Sequence, residues 1–176
     1  MVTMRTVHLL RHAKSSWAEP GTADIDRPLA PRGEQAALRV AAHLRANAIT
    51  PDLVLCSTAR RTQQTLAVVR TAWPDDTDVL SEEALYGATA TELLDRLRST
   101  GDGVLSVLVI GHNPGLHDLA LRLAGSGDDA LVDDLSMNLP TGALATLTFD
   151  GTWKTLDRGT ARLAGFVVPR RLPPVD

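Results

Sequence analysis

The feature that most constrains the fold of this chain is a set of short, uninterrupted apolar runs separated by stretches with helical periodicity. Runs of strand length occur at Thr6–Leu10, Leu53–Cys56, Val104–Ile110 and Ala143–Phe149, with a further candidate at Ala161–Val168. Strands buried on both faces have continuous apolar runs, whereas strands with one solvated face alternate apolar and polar residues. The runs therefore predict a sheet that is covered on both sides.

Helical patterns lie between these runs. They occupy Pro31–Asn47, Arg60–Ala72, Ala90–Ser99 and Pro114–Ala124. Alternating strands and helices are typical of a three-layer α/β protein, in which helices flank a mostly parallel central sheet. Pro31 and Pro114 each stand at an expected first helical position, where proline has no N–H to lose. The segments Gly125–Asp134 and Asn138–Gly142 are predicted to be surface loops, and Pro169–Asp176 is predicted to be a surface tail.

The length and composition favour one globular domain that covers residues 1–176. Hydrophobic residues make up 44% of the chain and charged residues 22%, which is ordinary for such a domain. The formal net charge of −3 provides no overall positive field for nucleic acid or an anionic membrane. No apolar run approaches the roughly 20 residues of a membrane span, and no signal peptide is recognisable. We therefore expect a cytoplasmic protein with neither nucleic acid nor a membrane as its partner.

Polar residues collect where three of the predicted strands end. The first strand continues into Arg11 and His12, the second leads to Arg60 and Arg61, and the strand that ends at Ile110 leads to His112. Because the carboxyl ends of parallel strands lie at one edge of a sheet, these three segments are expected to converge on one crevice. Adjacent arginines point to different faces of a helix, so at most one of that pair should face inward.

Histidines and arginines that meet at one edge suit a phosphoryl dianion. Guanidinium groups match phosphate oxygens and stay charged, so they can hold a phosphoryl group in line. A neutral imidazole can attack phosphorus and form a covalent intermediate, and neighbouring guanidinium charges favour the neutral form. Because the transition state carries charge on three oxygens, positive donors can supply most of the catalysis. Such a site requires no metal ion or other cofactor in principle.

A cysteine-dependent phosphatase is one alternative for the same segments. That kind of enzyme places an arginine six residues after its nucleophilic cysteine. Here Thr62 stands six residues after Cys56, and Arg61 stands five residues after it. The spacing fails by one residue, so Cys56 is expected to be a small buried side chain.

A metal site is a second alternative. His112, His117 and Asp118 lie close together in the sequence. The two histidines are, however, five residues apart with a proline between them, which is not a helical ligand pair, and no further ligand segment is evident. The remaining histidines, His8 and His43, are expected to be structural.

Taken together, the polar segments resemble those of the histidine phosphatase superfamily, whose fold is phosphoglycerate-mutase-like. The similar segments are Leu10-Arg11-His12, Ser57-x-x-x-Arg61-x-x-Gln64-Thr65 and Gly111-His112-Asn113-Pro114. Within the superfamily, the chain resembles the compact SixA-type phosphohistidine phosphatases in the sequences RHAKSSW at 11–17, DIDRPL at 24–29 and PTGAL at 140–144. The resemblance covers nearly the whole chain.

The resemblance implies roles for particular residues. His12 would be the phosphorylated nucleophile. The phosphoryl oxygens would be held by Arg11, Arg61 and His112. Glu83 falls where larger members of the superfamily place a proton donor, and its neighbour Glu82 competes for that role.

The implied activity is hydrolysis through a covalent phosphohistidine intermediate. The expected substrate is phosphohistidine in a protein, because the short segment between Trp73 and Thr91 leaves little chain for a lid over a small metabolite. An imidazole leaving group also needs less acid catalysis than an alcohol. Hydrolysis of small phosphate esters is the alternative, and a phosphate-binding module without activity is disfavoured because every expected catalytic position is filled. The sequence leaves the partner protein and the oligomeric state open.

Overall fold

A seven-stranded sheet forms the middle layer of the protein in the computed structural model, which describes residues 2–176. Met1, which the predicted domain includes, lies outside the described residues. The strands are β1 (Met4–Arg11), β2 (Leu53–Ser57), β3 (Asp78–Glu82), β4 (Ser106–Gly111), β5 (Ala124–Gly127), β6 (Leu144–Asp150) and β7 (Ala161–Val167). Their order across the sheet is β3-β2-β4-β1-β6-β7-β5. Strand β6 runs antiparallel to both of its neighbours, and all the other pairs are parallel.

Helices cover the sheet much as the periodicity predicts. They are α1 (Pro31–Ala46), α2 (Arg60–Val69), α3 (Ala90–Arg98), α4 (Gly115–Leu123) and α5 (Asp129–Met137). Pro31 opens α1 as expected, whereas Pro114 is the N-cap of α4 and lies one position before its first helical residue. A short 3₁₀ turn, Arg70–Ala72, continues α2 over the rest of its predicted range.

Both faces of the sheet are buried, which explains the continuous apolar runs. In β2, Leu53 and Leu55 pack into a core with residues of α3 and α4. Val54 and Cys56 pack into a second core with residues of α1 and α2. Successive side chains of a strand point to opposite faces, so a strand between two helical layers must be apolar at every position. The predicted three-layer α/β class with a mostly parallel sheet is confirmed.

The prediction of a surface loop at Gly125–Asp134 is wrong. The segment contains most of β5 and the start of α5, and the Asp128 side chain caps that helix by accepting a hydrogen bond from the N–H of Ala130. Strand β3 also escaped prediction, because most of its residues are exposed and polar. Both strands lie at the edges of the sheet, where pairing with one neighbour holds them without an apolar pattern.

The C-terminal segment is less superficial than predicted. It begins with a 3₁₀ turn, Pro169–Arg171, in which Pro169 is buried against the loop at Gly142. Within residues 2–176, none of the helices is long and apolar enough to cross a membrane.

Candidate active site

Three polar segments meet at the carboxyl ends of β2, β4 and β1, which are adjacent and parallel. His12 follows β1, Arg61 lies in the first turn of α2, and His112 follows β4. The Arg61 guanidinium lies between the two imidazoles, with its Nε 3.3 Å from Nε2 of His12 and its Nη2 3.3 Å from Nδ1 of His112. The two imidazole ring centroids are 5.3 Å apart. Arg60 is exposed while Arg61 is buried, so one arginine of the pair faces inward.

The His12 side chain holds a lone pair on Nε2. Its Nδ1 is 2.7 Å from the carbonyl oxygen of Ala13, which can only accept, so Nδ1 carries the proton. Its Nε2 accepts a hydrogen bond from Arg61, because a guanidinium can only donate. Burial, followed by the positive charge of Arg61, lowers the pKa of His12 to about 3. The imidazole is therefore neutral at physiological pH, which is the form that attacks phosphorus.

His112 has the opposite tautomer. Its Nδ1 accepts from Arg61, so its Nε2 carries the proton and donates to the Ser57 hydroxyl at 2.8 Å. Burial, followed by the charge of Arg61, lowers the pKa of His112 to about 4. An anion that contacts Nδ1 would favour the protonated imidazole and turn that nitrogen into a donor.

Arg11 adds positive charge to the same place. Its charge contributes to the lowered pKa of both histidines. Its Nη1 donates to the carbonyl oxygen of Leu139 at 3.1 Å, and its buried Nε has no hydrogen-bond partner within residues 2–176. An unused, buried donor next to two neutral imidazoles is suited to an anion.

The Asn138–Gly142 loop, predicted to lie at the surface, is a wall of this site. Leu139 is fully buried, and its carbonyl oxygen accepts hydrogen bonds from Arg11 and from the Asn113 side chain. The N–H of Gly142 is shared between the carbonyl oxygens of His12, at 2.9 Å, and Arg11, at 3.1 Å. The loop thereby fixes the backbone of Arg11, the last residue of β1, and of His12, which follows it.

Asp24 is a site residue that the sequence reasoning did not single out. Its carboxylate accepts hydrogen bonds from Arg61 at 3.1 Å, from Arg27 at 2.9 Å and from the Tyr86 hydroxyl at 2.5 Å. Its carbonyl oxygen accepts a further bond from Nη1 of Arg61 at 2.7 Å. The hydrogen bond from Tyr86, followed by the charge of Arg61, lowers the pKa of Asp24 to about 2. The only signal in the sequence is the DIDRPL segment, which begins at Asp24 and includes Arg27.

The two carboxylates considered as proton donors make no hydrogen bond to this network. Glu82 ends β3 and forms a two-pronged ion pair with Arg96, with a shortest distance of 2.8 Å. Glu83 is exposed, and its carboxylate makes no hydrogen bond in the described part of the chain. Tyr86 borders the site instead, because its ring packs edge-on against His112 with centroids 5.4 Å apart.

Neither alternative site is assembled. Burial raises the pKa of the Cys56 thiol to about 12, the reverse of what a thiolate nucleophile needs. Nε2 of His117 is 2.6 Å from the carbonyl oxygen of Leu135. Among the described residues, no three His, Cys, Asp or Glu side chains are grouped to hold a metal ion, so His112, His117 and Asp118 do not form a metal site.

One known protein family matches about half of this chain. The family description "Histidine phosphatase superfamily (branch 1)" matches residues 7–96, a range that includes both His12 and Arg61. This chain belongs to the histidine phosphatase superfamily. It is also 44% identical to an uncharacterized protein of Mycobacterium tuberculosis over 163 residues, which cover 92% of this chain and 100% of that protein.

Two solved structures extend the comparison beyond the matched range. A SixA protein from Nakamurella multipartitia, assigned as a phosphohistidine phosphatase, is 32% identical, with a TM-score of 0.81 over 94% of this chain and 96% of that one. A SixA protein from Agrobacterium tumefaciens with the same assignment is 32% identical, with a TM-score of 0.80 over 94% and 98% of the two chains. The SixA-type resemblance and the phosphoglycerate-mutase-like fold are confirmed, and this histidine phosphatase shares the fold over nearly its whole length.

Proposed function

We propose that this histidine phosphatase hydrolyses phosphohistidine in proteins, through a covalent intermediate on His12 and without a metal ion. The observation that carries the proposal is the arrangement of His12, His112 and Asp24 around the Arg61 guanidinium. The lone pairs of His12 Nε2 and His112 Nδ1 both face Arg61, along its Nε–Nη2 edge. Asp24 occupies the Nη1–Nη2 edge. A phosphoryl group on His12 Nε2 would lie at the Nε–Nη2 edge, where its oxygens can replace the two imidazole nitrogens as acceptors.

In the first step, the lone pair of His12 Nε2 attacks phosphorus. The bond between phosphorus and the substrate imidazole breaks, and its electron pair stays on the leaving nitrogen. If the substrate ring is protonated on its other nitrogen, it leaves as a neutral imidazole and needs no further proton. Arg61, Arg11 and protonated His112 stabilise the charge on the three phosphoryl oxygens. The hydrogen bond from Nδ1 to the Ala13 carbonyl keeps the His12 ring oriented.

In the second step, water attacks phosphorus on the opposite side from His12. The P–Nε2 bond breaks, its electron pair returns to the His12 ring, and phosphate leaves as H₂PO₄⁻ with the oxygen and both protons of that water. The same positive donors stabilise both transition states, because the charge develops on the same three oxygens. The enzyme returns to its starting tautomer.

The carboxylates around the site favour phosphohistidine over alkyl phosphates. Alcohols are poor leaving groups and need a proton from a group whose pKa lies near the working pH. The carboxylate that contacts the site, Asp24, has a pKa of about 2 and is already ionised. Glu82 is engaged by Arg96, and Glu83, the remaining candidate, is exposed and makes no hydrogen bond to the site among the described residues, so it is a weakly placed donor. Imidazole, whose conjugate acid has a pKa of about 6.5, needs little such help. Support also comes from the two SixA proteins assigned as phosphohistidine phosphatases.

The test is a comparison of turnover on three substrates at equal enzyme concentration. These are a phosphohistidine protein, an aryl phosphate and an alkyl phosphate, each measured with and without EDTA. We expect the phosphohistidine protein and the aryl phosphate to be hydrolysed, the alkyl phosphate to be slower by about 10²-fold or more, and chelation to change none of the rates. Equal rates on all three would identify a general phosphomonoesterase. Loss of activity in EDTA, restored by a divalent ion, would contradict the metal-free mechanism.

A further inference from the structure

A groove lies next to the active site and is not part of it. Its volume is about 710 Å³. Lys14 and three segments line it: residues 31–39 on the first turns of α1, residues 140–141 of the loop that contacts Arg11 and His12, and residues 168–170 at the C-terminal turn. The walls mix apolar side chains, including three prolines, with long cationic ones. Such a surface suits a polypeptide segment better than a rigid small molecule.

The groove is strongly positive in a chain whose net charge is −3. Its cationic side chains are Lys14, Arg32, Arg39 and Arg170. Glu34 is the one carboxylate among the lining residues, Asp134 outside the lining interacts with Arg170 at longer range, and none of the four cations forms a salt bridge within the described residues. By contrast, Arg171, the neighbour of Arg170, is paired with Asp134. Unpaired cations gathered in one groove provide charge complementarity for an acidic partner.

The groove is attached to the catalytic residues through the backbone. Lys14 lies two residues after His12, so their Cα atoms are at most about 7 Å apart. On the opposite wall, Thr141 precedes Gly142, whose N–H donates to the carbonyl oxygen of His12. Helix α1 packs closely against the backbone of Lys14, because a Cβ added at Gly33 would clash with the Lys14 carbonyl oxygen. An extended peptide spans about 3.3 Å per residue, so residues roughly two to five positions from a phosphohistidine at His12 would reach the groove.

We propose that this groove binds acidic residues that flank the phosphohistidine of a protein substrate. The proposal rests on the proposed function and adds the chemistry of the substrate around the reacting residue. A peptide is favoured over nucleic acid because no aromatic side chain lines the groove to stack on a base. Selection by the groove acts on substrate capture, so a small phosphate ester that does not reach it is unaffected.

The test uses two phosphohistidine peptides that differ in flanking residues, four aspartates in one and four asparagines in the other. The groove variant is Arg32→Glu/Arg39→Glu, and the control is Arg158→Glu/Arg162→Glu, which makes the same change of charge at exposed positions outside the groove. For the parent at low salt, we expect kcat/KM to be about tenfold higher on the aspartate peptide. The groove variant should lose this preference and the control should keep it. Turnover of aryl phosphate should stay the same in all three proteins. A preference that is absent in the parent, or retained in the groove variant, would overturn the proposal.

A binding measurement separates this proposal from the proposed function. If aryl phosphate is hydrolysed but neither phosphohistidine peptide is, the proposed function fails. The groove is then tested alone, by fluorescence anisotropy with a labelled, unphosphorylated aspartate peptide. Weaker binding to the groove variant than to the control supports the groove as an acidic-peptide site, and equal binding refutes it. Tighter binding of a single-stranded oligonucleotide than of the peptide also refutes it. So does a change of oligomeric state in the groove variant alone, which would assign the groove to a second copy of the chain.

Discussion

The buried centre of the site and its exposed rim are built differently. In the centre, His12, Arg61 and His112 are each at most 9% exposed, and their ring and guanidinium nitrogens contact one another directly. At the rim, Tyr86 is 37% exposed and half of the Asp24 side chain is exposed. Hydrogen bonds fix the tautomers of the central histidines and burial keeps them neutral, whereas the rim orients the centre from the solvent side. Changes in the centre should therefore remove chemistry, and changes at the rim should only adjust it.

The largest expected effect is that of His12→Ala. The substitution removes the proposed nucleophile, and we expect turnover to fall by on the order of 10⁴-fold or more on every substrate. Acid-labile labelling of the protein by a phosphohistidine substrate should disappear with it. His43→Ala is the matched control, since His43 lies on α1 and its side-chain contact is with Asn47, 3.3 Å from Nδ1. Persistent labelling in His12→Ala would place the intermediate on another residue.

Arg61→Ala should have the next largest effect. It removes the guanidinium that contacts both central histidines, and we expect kcat to fall by about 10²–10³-fold. Arg60→Ala is its control, because Arg60 is the exposed neighbour in the same helical turn. The two variants are compared by kcat and by unfolding midpoint, so that a loss of stability is recognised. Equal losses of kcat in both would show that the helix, and not the central guanidinium, is what matters.

Asp24→Asn tests the rim at the residue that hydrogen-bonds to Arg61, Arg27 and Tyr86. Loss of the carboxylate loosens the Nη1–Nη2 edge of Arg61, so we expect kcat to fall by about tenfold. It also removes a negative charge that repels the substrate anion. From the change of charge alone, the inhibition constant of inorganic phosphate should fall by roughly a few-fold. Asp26→Asn, in the same short turn, is the control. A fall in kcat together with weaker phosphate inhibition would contradict the orienting role.

Glu83→Gln should have an effect that depends on the leaving group and is small on phosphohistidine. Turnover of phosphohistidine should stay within about twofold of the parent, while turnover of an alkyl phosphate should fall by about tenfold or more. The measured quantity is the ratio of the two effects. Glu82→Gln serves as the comparison, since Glu82 is held by Arg96. A ratio near one for Glu83→Gln would remove Glu83 from the acid role.

The smallest expected change is in the protonation of His12 across the physiological pH range. With a pKa lowered to about 3, its ring should stay neutral as the pH falls from 8 to 5, whereas the unfolded chain should titrate at about 6.5. ¹⁵N NMR of the assigned His12 ring measures this directly, and a midpoint near 6.5 would contradict it. Because the unfolded histidine takes up its proton first, His12 should destabilise the folded state as the pH falls from 6.5 towards 3. The free energy of unfolding should fall by at most about 1.4 kcal/mol per pH unit over this range.

Local patterns predicted the elements on which the site depends. The runs at Leu53–Cys56 and Thr6–Leu10 are apolar at most positions because helices cover both faces of their strands, so the pattern records the layer structure. The elements that escaped were the helix α5 and the strands β3 and β5, which lie at the two edges of the sheet. Both strands are short, and about half of their residues are exposed. Backbone pairing with one neighbouring strand holds them in the sheet, and such pairing leaves no hydropathy pattern in the sequence.

The sequence by itself determined which groups are available, because each of them lies at the end of a strand or at the start of a helix that its own segment defines: Arg11, His12, Arg61 and His112. Tertiary structure alone decided how these groups meet, because the order β2-β4-β1 places three distant strand ends side by side. It also decided that the carboxylate in contact with Arg61 is Asp24 and not Glu82 or Glu83. A hydrogen bond or a lowered pKa depends on distance and burial, and both arise only when segments far apart in the chain pack together.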